Sequence, residues 1–127
     1  MPRCCPWPLV LAVLLVLAGC AGQDRPDTDL GETAERGREL VASQGCISCH
    51  SEDGSDRAGP TFLGAWGSER PLADGRVVVF DEEHVAIMLA DPGSRMSGER
   101  SARMPAYTGL SDEQVDAITA YLEALGD

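Results

Sequence analysis

Two cysteines and a histidine lie close together in the string Cys46-Ile47-Ser48-Cys49-His50. In a helical turn, residues at i, i+3 and i+4 share one face, so both thiols and the imidazole are expected to point the same way. This spacing suits covalent attachment of a haem, because two thiols can add to its two vinyl groups while the imidazole reaches its iron. The string therefore predicts one haem c, held by Cys46 and Cys49, with His50 as an axial iron ligand.

Three other uses of this string agree less well with the remainder of the chain. A thioredoxin-like redox pair is expected beside a βαβ pattern, which the sequence does not show. A structural zinc site needs a second pair of ligands. The remaining cysteines all lie within the first 20 residues, and His84 is the one other histidine. A plain disulfide would leave His50 without a role.

The composition agrees with a small domain that has a cofactor at its centre. A chain of 127 residues has room for one domain, and aromatic residues make up only 5% of it, so a core of side chains alone would be thin. Acidic residues outnumber basic ones by 21 to 10, all the basic ones are Arg, and the formal net charge is −11. So large an acidic excess argues against binding to nucleic acid, whose phosphates require a cationic surface.

The N-terminus has the features of an export signal. As a helix, the apolar run Leu9–Ala18 would rise only about 15 Å, half of a bilayer core, so a signal peptide over residues 1–19 is favoured over a membrane span. The run ends in Leu17-Ala18-Gly19-Cys20, which resembles a bacterial lipobox, so Cys20 is expected to carry diacylglycerol. The alternative is an ordinary signal peptide in which Cys20 is incidental. Several acyl chains would anchor the protein stably to the membrane.

The expected cleavage divides the chain into three parts. Cleavage before Cys20 would remove Arg3 and no acidic residue, which takes the formal charge from −11 to −12. Residues 20–30 contain Gly, Pro, Gln and Asp without apolar periodicity and are interpreted as a lipidated, solvated tether. The folded domain is expected over residues 31–127.

Two helices are predicted at the ends of this domain. Residues 33–44 have apolar side chains at helical spacing, and Gly45 is expected to end that helix. Ser111–Gln114 forms a capping box that opens a last helix. Its apolar stripe is Val115, Ile118, Leu122 and Leu125.

A third helix and a hairpin are predicted between them. Asp81 is expected to cap a short helix that runs to about Ala90, where Asp91-Pro92 ends it. The segment Leu72–Phe80 contains Asp74-Gly75 followed by three valines, which is a β-hairpin signal.

The ordered motifs of residues 31–127 resemble those of cytochrome c, and most of all those of the cytochrome c domain in subunit II of caa-type oxygen reductases. The matching stretches are Gly37-x-x-Leu40, Cys46–His50, Gly59-Pro60, Leu72–Gly75, Asp81–Glu83, Asp91-Pro92, Met104–Tyr107, Leu110-Ser111 and Ala120–Leu122. The resemblance implies an all-α cytochrome c fold of three to four helices around one covalently bound haem, with a small β-hairpin insertion. It also implies that the first and last helices cross with Gly37 against Tyr121. The dinuclear-copper domain and membrane helices of subunit II have no counterpart here, so a stand-alone lipid-anchored c domain is expected.

Four side chains are candidates for the second axial iron ligand: Met88, Met96, Met104 and His84. Met88 lies on an apolar helical stripe, where Met usually fills the core, and Met96 lies in a loop rich in Gly and Ser. Met104 precedes Pro105, which favours an extended chain outside any helix. It also lies where the resembling domains place their iron-binding Met, so Met104 is the expected ligand. His84 is expected to be a half-exposed helix residue, at a position where those domains often have Tyr.

The resemblance implies further roles around the haem. The Pro60 carbonyl is expected to accept a hydrogen bond from the ring N–H of His50, which would fix the ring. Many resembling domains have an Arg near position 68 that contacts a haem propionate. Ser68 stands here, with Arg70 two residues later, so the propionate partner stays open. Three aromatic side chains are expected to wall the haem: Phe62, Trp66 and Tyr107.

An iron bound by both His and Met has no open position for a substrate and moves single electrons. The expected function is therefore that of a membrane-anchored electron carrier in a respiratory chain, on the extracytoplasmic face of a bacterial membrane, and not that of an enzyme. The resemblance implies a quinol-oxidising complex as donor and an oxygen reductase as acceptor, and neither nucleic acid nor a small-molecule substrate is expected. Two alternatives stay open: a fixed electron-relay subunit of a larger membrane complex, and a haem enzyme or gas sensor with an open iron site.

Overall fold

The computed structural model of the protein describes residues 30–72, 74–95 and 104–126. This part of the chain contains three α-helices and one β-hairpin: α1 Glu32–Ser43, β1 Glu69–Pro71, β2 Val77–Val79, α2 Glu82–Ala90 and α3 Asp112–Ala124. Single 3₁₀ turns lie at Cys46–Ser48 and Pro92–Ser94. The predicted fold, with three to four helices and a small hairpin, is confirmed.

Some of the predictions fall on residues that the structure does not describe. The signal peptide (1–19), Cys20, the tether up to residue 29 and Met96 all lie outside the described ranges. Within those ranges, no helix is both long enough and apolar enough to cross a bilayer.

Helices α1 and α3 cross at Gly37. A Cβ atom on Gly37 would lie 1.9 Å from the carbonyl oxygen of Ala117 and 2.8 Å from Cβ of Tyr121. The two backbones can approach this closely only because Gly37 has no side chain. The predicted crossing of Gly37 against Tyr121 is therefore confirmed.

The end of α1 leads directly into the cysteine string. Gly45 follows the helix with φ of +77°, a left-handed conformation that Gly adopts without strain. Its N–H donates to the Ala42 carbonyl over 3.1 Å. Gly45 thus ends α1 as predicted and places Cys46 immediately beyond the helix.

Helix α3 begins with the predicted capping box. The Ser111 side chain accepts from the Gln114 N–H, and the Gln114 side chain accepts from the Ser111 N–H over 2.9 Å. Ile118 and Leu122 of its apolar stripe are buried. The capping box thus fixes where the stripe begins, and that stripe faces the core.

Helix α2 begins at the predicted cap but differs from expectation in one side chain. The Asp81 carboxylate accepts from the His84 N–H over 2.9 Å. The prediction that His84 is half-exposed is wrong, since only 6% of it is exposed. The reason is that Phe80 folds back against the first turn of α2, with its ring centroid 5.4 Å from that of His84.

The hairpin has a longer turn than the Asp74-Gly75 signal suggests. The strands pair antiparallel, with Glu69 opposite Val79 and Pro71 opposite Val77. The chain reverses between Leu72 and Arg76, helped by Gly75 with φ of +85° and by the Asp74 carboxylate, which accepts from the Arg76 N–H over 3.0 Å. The first strand, Glu69–Pro71, therefore lies before the predicted segment Leu72–Phe80.

A compact apolar cluster joins the helices to the cysteine string. We call it the central cluster, and its buried members are Val41, Cys46, Val85, Leu89, Ile118, Tyr121 and Leu122. They come from α1, α2, α3 and the string itself. The string is therefore part of the core and not an attachment on the surface.

We expect Gly37→Ala to destabilise the protein by about 1–3 kcal/mol, because the new methyl group would overlap the α3 backbone. This loss should appear although Ala is the better helix former by about 1 kcal/mol. The measurement is denaturant unfolding of the haem-bearing protein. Gly109→Ala is the control, since a Cβ there would meet nothing within 4 Å. Equal unfolding midpoints for the two variants would contradict the close approach of the helices.

Candidate haem site

The cysteine string forms one helical turn at the edge of the central cluster. The Cys49 N–H donates to the Cys46 carbonyl over 3.1 Å, and the His50 N–H donates to the same carbonyl over 2.9 Å. Cys46 is buried, Cys49 is exposed, and both are free thiols. Burial raises the pKa of the Cys46 thiol, and a hydrogen bond with Tyr107 partly offsets this. One thiol therefore lies in the core and the other at the surface, and both are available for thioether bonds.

The His50 ring is held on two sides. Its Nδ1 lies 2.7 Å from the Pro60 carbonyl oxygen, which can only accept, so Nδ1 carries a proton and Nε2 is the ring nitrogen that could bind a metal. The ring also stacks on Phe62, with centroids 4.5 Å apart and planes 13° from parallel. This is the arrangement by which proteins orient a metal-binding imidazole.

Gly59 makes room for that ring. A Cβ on Gly59 would lie 2.5 Å from Cε1 of His50. The Gly59 N–H donates to the Cys49 carbonyl over 2.7 Å, which brings residue 59 back against the string. Sequence reasoning found Gly59 only as part of a motif match, and the structure supplies its physical role.

Hydrogen bonds hold the two ends of the loop between His50 and Phe62 together. The Phe62 N–H donates to the Ser51 carbonyl over 2.8 Å. Ser51 is fully buried, and its hydroxyl donates to the Ser55 carbonyl over 2.6 Å. The loop therefore holds Pro60 and Phe62 in fixed positions against His50.

Met104 lies on the border of the central cluster. Its side chain is partly buried and packs against that cluster. The segment after it is fixed by Tyr107, whose N–H donates to the Leu89 carbonyl over 2.7 Å. The Tyr107 hydroxyl lies 3.4 Å from the Gln44 carbonyl at the end of α1. The structure thus brings Met104 and the cysteine string to one cluster.

The other residues expected at the site lie either against the central cluster or beside Phe80. Phe62, Trp66 and Tyr107 all pack against the central cluster, as expected for the walls of a haem site. Arg70 is half-buried, with its guanidinium carbon 5.6 Å from the Phe80 ring centroid, and its buried Nε has no hydrogen-bond partner within the described part of the chain.

One contact near the site could not be predicted from the sequence. The Tyr121 hydroxyl donates to Oε1 of Glu52 over 2.6 Å. Tyr121 is buried in α3, and Glu52 follows His50 by two residues. The bond therefore ties α3 to the end of the cysteine string. Nothing in the sequence distinguishes Glu52 from the many other acidic residues of the chain.

Several observations test whether a haem c fits these residues. Two free thiols and an imidazole oriented by the Pro60 carbonyl could supply its covalent bonds and one bond to its iron. The missing side chain of Gly59 lets the chain lie directly against the His50 ring. The buried Nε of Arg70 is a donor without an acceptor among the described residues. The donor set and the fixed orientation of His50 both fit a haem.

Comparison with known proteins agrees with this geometry. The family model for cytochrome c matches residues 34–126. The chain belongs to the cytochrome c family. It is therefore an electron-transfer domain, and membership implies a covalently bound haem c.

Two curated relatives confirm the resemblance to oxidase subunits. The chain is 33% identical to a cytochrome c oxidase subunit 2 of Alkalihalophilus pseudofirmus over 93 residues, which cover 72% of the chain and 25% of the relative. It is 31% identical to a cytochrome c oxidase subunit 2 of Bacillus sp. over 93 residues, which cover 68% of the chain and 25% of the relative. The match spans about a quarter of the length of these relatives.

We expect Gly59→Ala to weaken haem binding, because the methyl group would push the His50 ring away from the Pro60 carbonyl. The haem-bearing fraction of the purified protein should fall, and the remaining holoprotein should lose about 1–3 kcal/mol of stability. Absorption and denaturant unfolding measure these two quantities. Gly93→Ala is the control, since its Cβ would lie 3.5 Å from the nearest atom. If both variants retain haem and stability equally, Gly59 has no such role.

Proposed function

We propose that this protein is a single-haem c-type cytochrome that carries one electron at a time in a bacterial respiratory chain, toward an oxygen reductase. The observation that carries the proposal is the His50 ring, which donates from Nδ1 to the Pro60 carbonyl over 2.7 Å beside two free thiols. This arrangement orients Nε2 for a metal and leaves both thiols for one haem. A haem c bound there supplies a single ferric–ferrous couple.

Each site residue has a distinct role in this proposal. Cys46 and Cys49 would form the two thioethers, and His50 and Met104 would bind the iron. The Pro60 carbonyl fixes the tautomer and orientation of His50 and would increase its basicity as a ligand. With both of these iron ligands in place, the protein would exchange electrons and perform no bond chemistry on a substrate.

The partners are inferred from the relatives. Both are cytochrome c oxidase subunits 2, which supports an oxygen reductase as the acceptor. A quinol-oxidising complex is the proposed donor. The acidic chain is not proposed to bind nucleic acid.

Membrane anchoring is proposed from the N-terminal sequence. Residues 1–19 would act as a signal peptide, Cys20 would carry the lipid, and residues 20–30 would link it to the domain at 31–127. The domain would then work on the extracytoplasmic side of a bacterial membrane. Haem is attached to c-type cytochromes on that side, and respiratory membrane complexes exchange electrons with cytochromes there.

Exposed apolar side chains favour one alternative. Ile47, inside the cysteine string, is 37% exposed, and Leu63, next to Phe62, is 45% exposed. Apolar residues at the haem-bearing surface suit a lasting contact with another subunit. The second candidate function is therefore a fixed electron relay within a larger membrane complex.

The attachment test measures the mass of the protein purified from membranes. We expect acid-acetone extraction to leave the haem on the polypeptide, and the intact mass to equal the chain from residue 20 plus one haem plus lipid. Cys20→Ser should keep the haem but no longer partition into a detergent phase. Haem released into the solvent would overturn the c-type assignment, and unchanged partitioning of the variant would overturn the lipid at Cys20.

The ligation test replaces Met104. We expect Met104→Ala to lose the weak red absorption band of a thioether–iron bond, to lower the reduction potential and to let external ligands bind the iron. Met88→Ala and Met96→Ala are matched controls and should retain the band. Loss of the band in Met96→Ala alone would transfer the ligand role to Met96. An unliganded iron in the parent protein would instead favour an enzyme or sensor.

The docking test uses an oxidase adapted to a cytochrome c that presents a ring of Lys. With a formal mature charge of −12 and no Lys, this protein should reduce such an oxidase slowly at low salt. Added salt should not slow the reaction further, since the Debye length falls to about 8 Å at 0.15 M and screens like-charge repulsion. Steady-state turnover across salt concentrations measures this. Fast low-salt turnover that falls with salt would show that Arg residues gather at the docking surface.

A further inference from the structure

An open groove lies between α2 and α3, and neither the cysteine string nor Met104 lines it. We call it the α2–α3 groove. Its volume is about 400 Å³, comparable with pockets that take a bulky organic group. Buried and half-buried side chains, most of them apolar, form its floor: Ala86, Leu89, Tyr107, Leu110 and Val115. An apolar surface with a polar rim is typical of a contact site for another protein.

The rim of the α2–α3 groove is acidic. Glu82, Asp112 and Asp116 are exposed on it, and no Arg or His is among the residues that line it. Within the described ranges, none of these three carboxylates forms a salt bridge. Glu82 and Asp112 lie in the first turns of α2 and α3, where a carboxylate stabilises the helix dipole. Asp116 lies beyond the first turn and contributes nothing of this kind to α3.

The acidic rim disfavours most occupants. Three unpaired carboxylates would repel a phosphate, an anionic lipid headgroup or a haem propionate. A second copy of the chain would bring the same large acidic excess. A small organic cation is disfavoured because the rim is open to solvent, whereas small-molecule sites bury most of their ligand. The occupant that fits both floor and rim is a protein segment with apolar and basic side chains.

We propose that the α2–α3 groove is a docking site for a partner protein that inserts an apolar segment flanked by Lys. The apolar floor would supply most of the binding energy, and the charged rim would set the orientation of the segment. Lys suits an exposed rim, since its ammonium group stays hydrated, whereas Arg is favoured in buried bidentate pairs. The inference goes beyond the proposed function, because such a contact holds the domain on a partner whether that partner donates electrons, accepts them or only fixes its position.

The experiment is zero-length cross-linking with a carbodiimide in native membranes that contain the full holoprotein. The reagent activates a carboxylate, and an amine in contact with it displaces the activating group to form an amide. Because the chain has no Lys, its own side chains cannot supply that amine, and a product with Lys identifies a contact with another protein. We expect mass spectrometry to find the groove carboxylates joined to Lys of one partner protein, in clear excess over exposed carboxylates elsewhere, such as Glu32.

Variants separate the groove from the general acidity of the chain. Asp116→Asn should lower the yield of cross-links at Glu82 and Asp112 by about two- to five-fold, the loss expected for one exposed ion pair. Glu123→Gln is the matched control and should leave the yield unchanged, since it removes the same charge from an exposed position of α3 outside the groove. Ala86→Gln should also lower the yield, because it fills the floor with a larger polar side chain of similar helix propensity.

Several results would overturn the inference. These are cross-links spread evenly over the exposed carboxylates, no product at the groove, a product with a lipid amine or with the N-terminus of a second copy, and equal yields for Asp116→Asn and Glu123→Gln. Added salt should lower the yield, since it screens attraction between exposed charges, and a yield that rises with salt would also contradict the proposal. The haem content of the same membranes tests the proposed function separately, because the cross-linking pattern does not depend on it.

Discussion

The close approach of α1 and α3 at Gly37 is the constraint on which the site depends. The crossing fixes the end of α1, and Gly45 then turns the chain so that Cys46 enters the central cluster. The same crossing buries Tyr121, whose hydroxyl reaches Glu52 on the far side of the cysteine string. The string is therefore held from both ends by one helix pair. Because a haem must be bonded at two thiols and one imidazole at once, this rigidity is what the chemistry requires.

The site also depends on groups that cannot be replaced by larger or more polar ones. His50 is oriented by a backbone carbonyl and by the flat face of Phe62, and neither can change its protonation. Gly59 supplies only space. The imidazole is therefore held in one orientation, with Nδ1 toward the Pro60 carbonyl. Both contacts come from groups without charge, so the site is oriented without using the acidic residues that give the chain its formal charge of −11.

Sequence reasoning succeeded where the signal is local and failed where contacts are distant. The capping box at Ser111 and the cap at Asp81 each depend on residues within a few positions, so short-range rules predicted them. The bond from Tyr121 to Glu52 joins residues 69 positions apart, and no periodicity indicates it. The burial of His84 was missed for the same reason, since it depends on how Phe80 packs. The haem string was recognised because attachment chemistry dictates its spacing.

A haem would complete the fold as well as the redox site. Among the residues that the structure describes, Nε of Arg70 and Nδ1 of His84 are buried and have no hydrogen-bond partner. A protein core tolerates such groups only if something pairs with them, and the aromatic content of 5% offers little apolar surface to compensate. A haem fastened at Cys46 and Cys49 would supply the apolar surface that the side chains lack. Haem attachment and folding of the domain would then be linked, because the group that carries the electron would also fill the core.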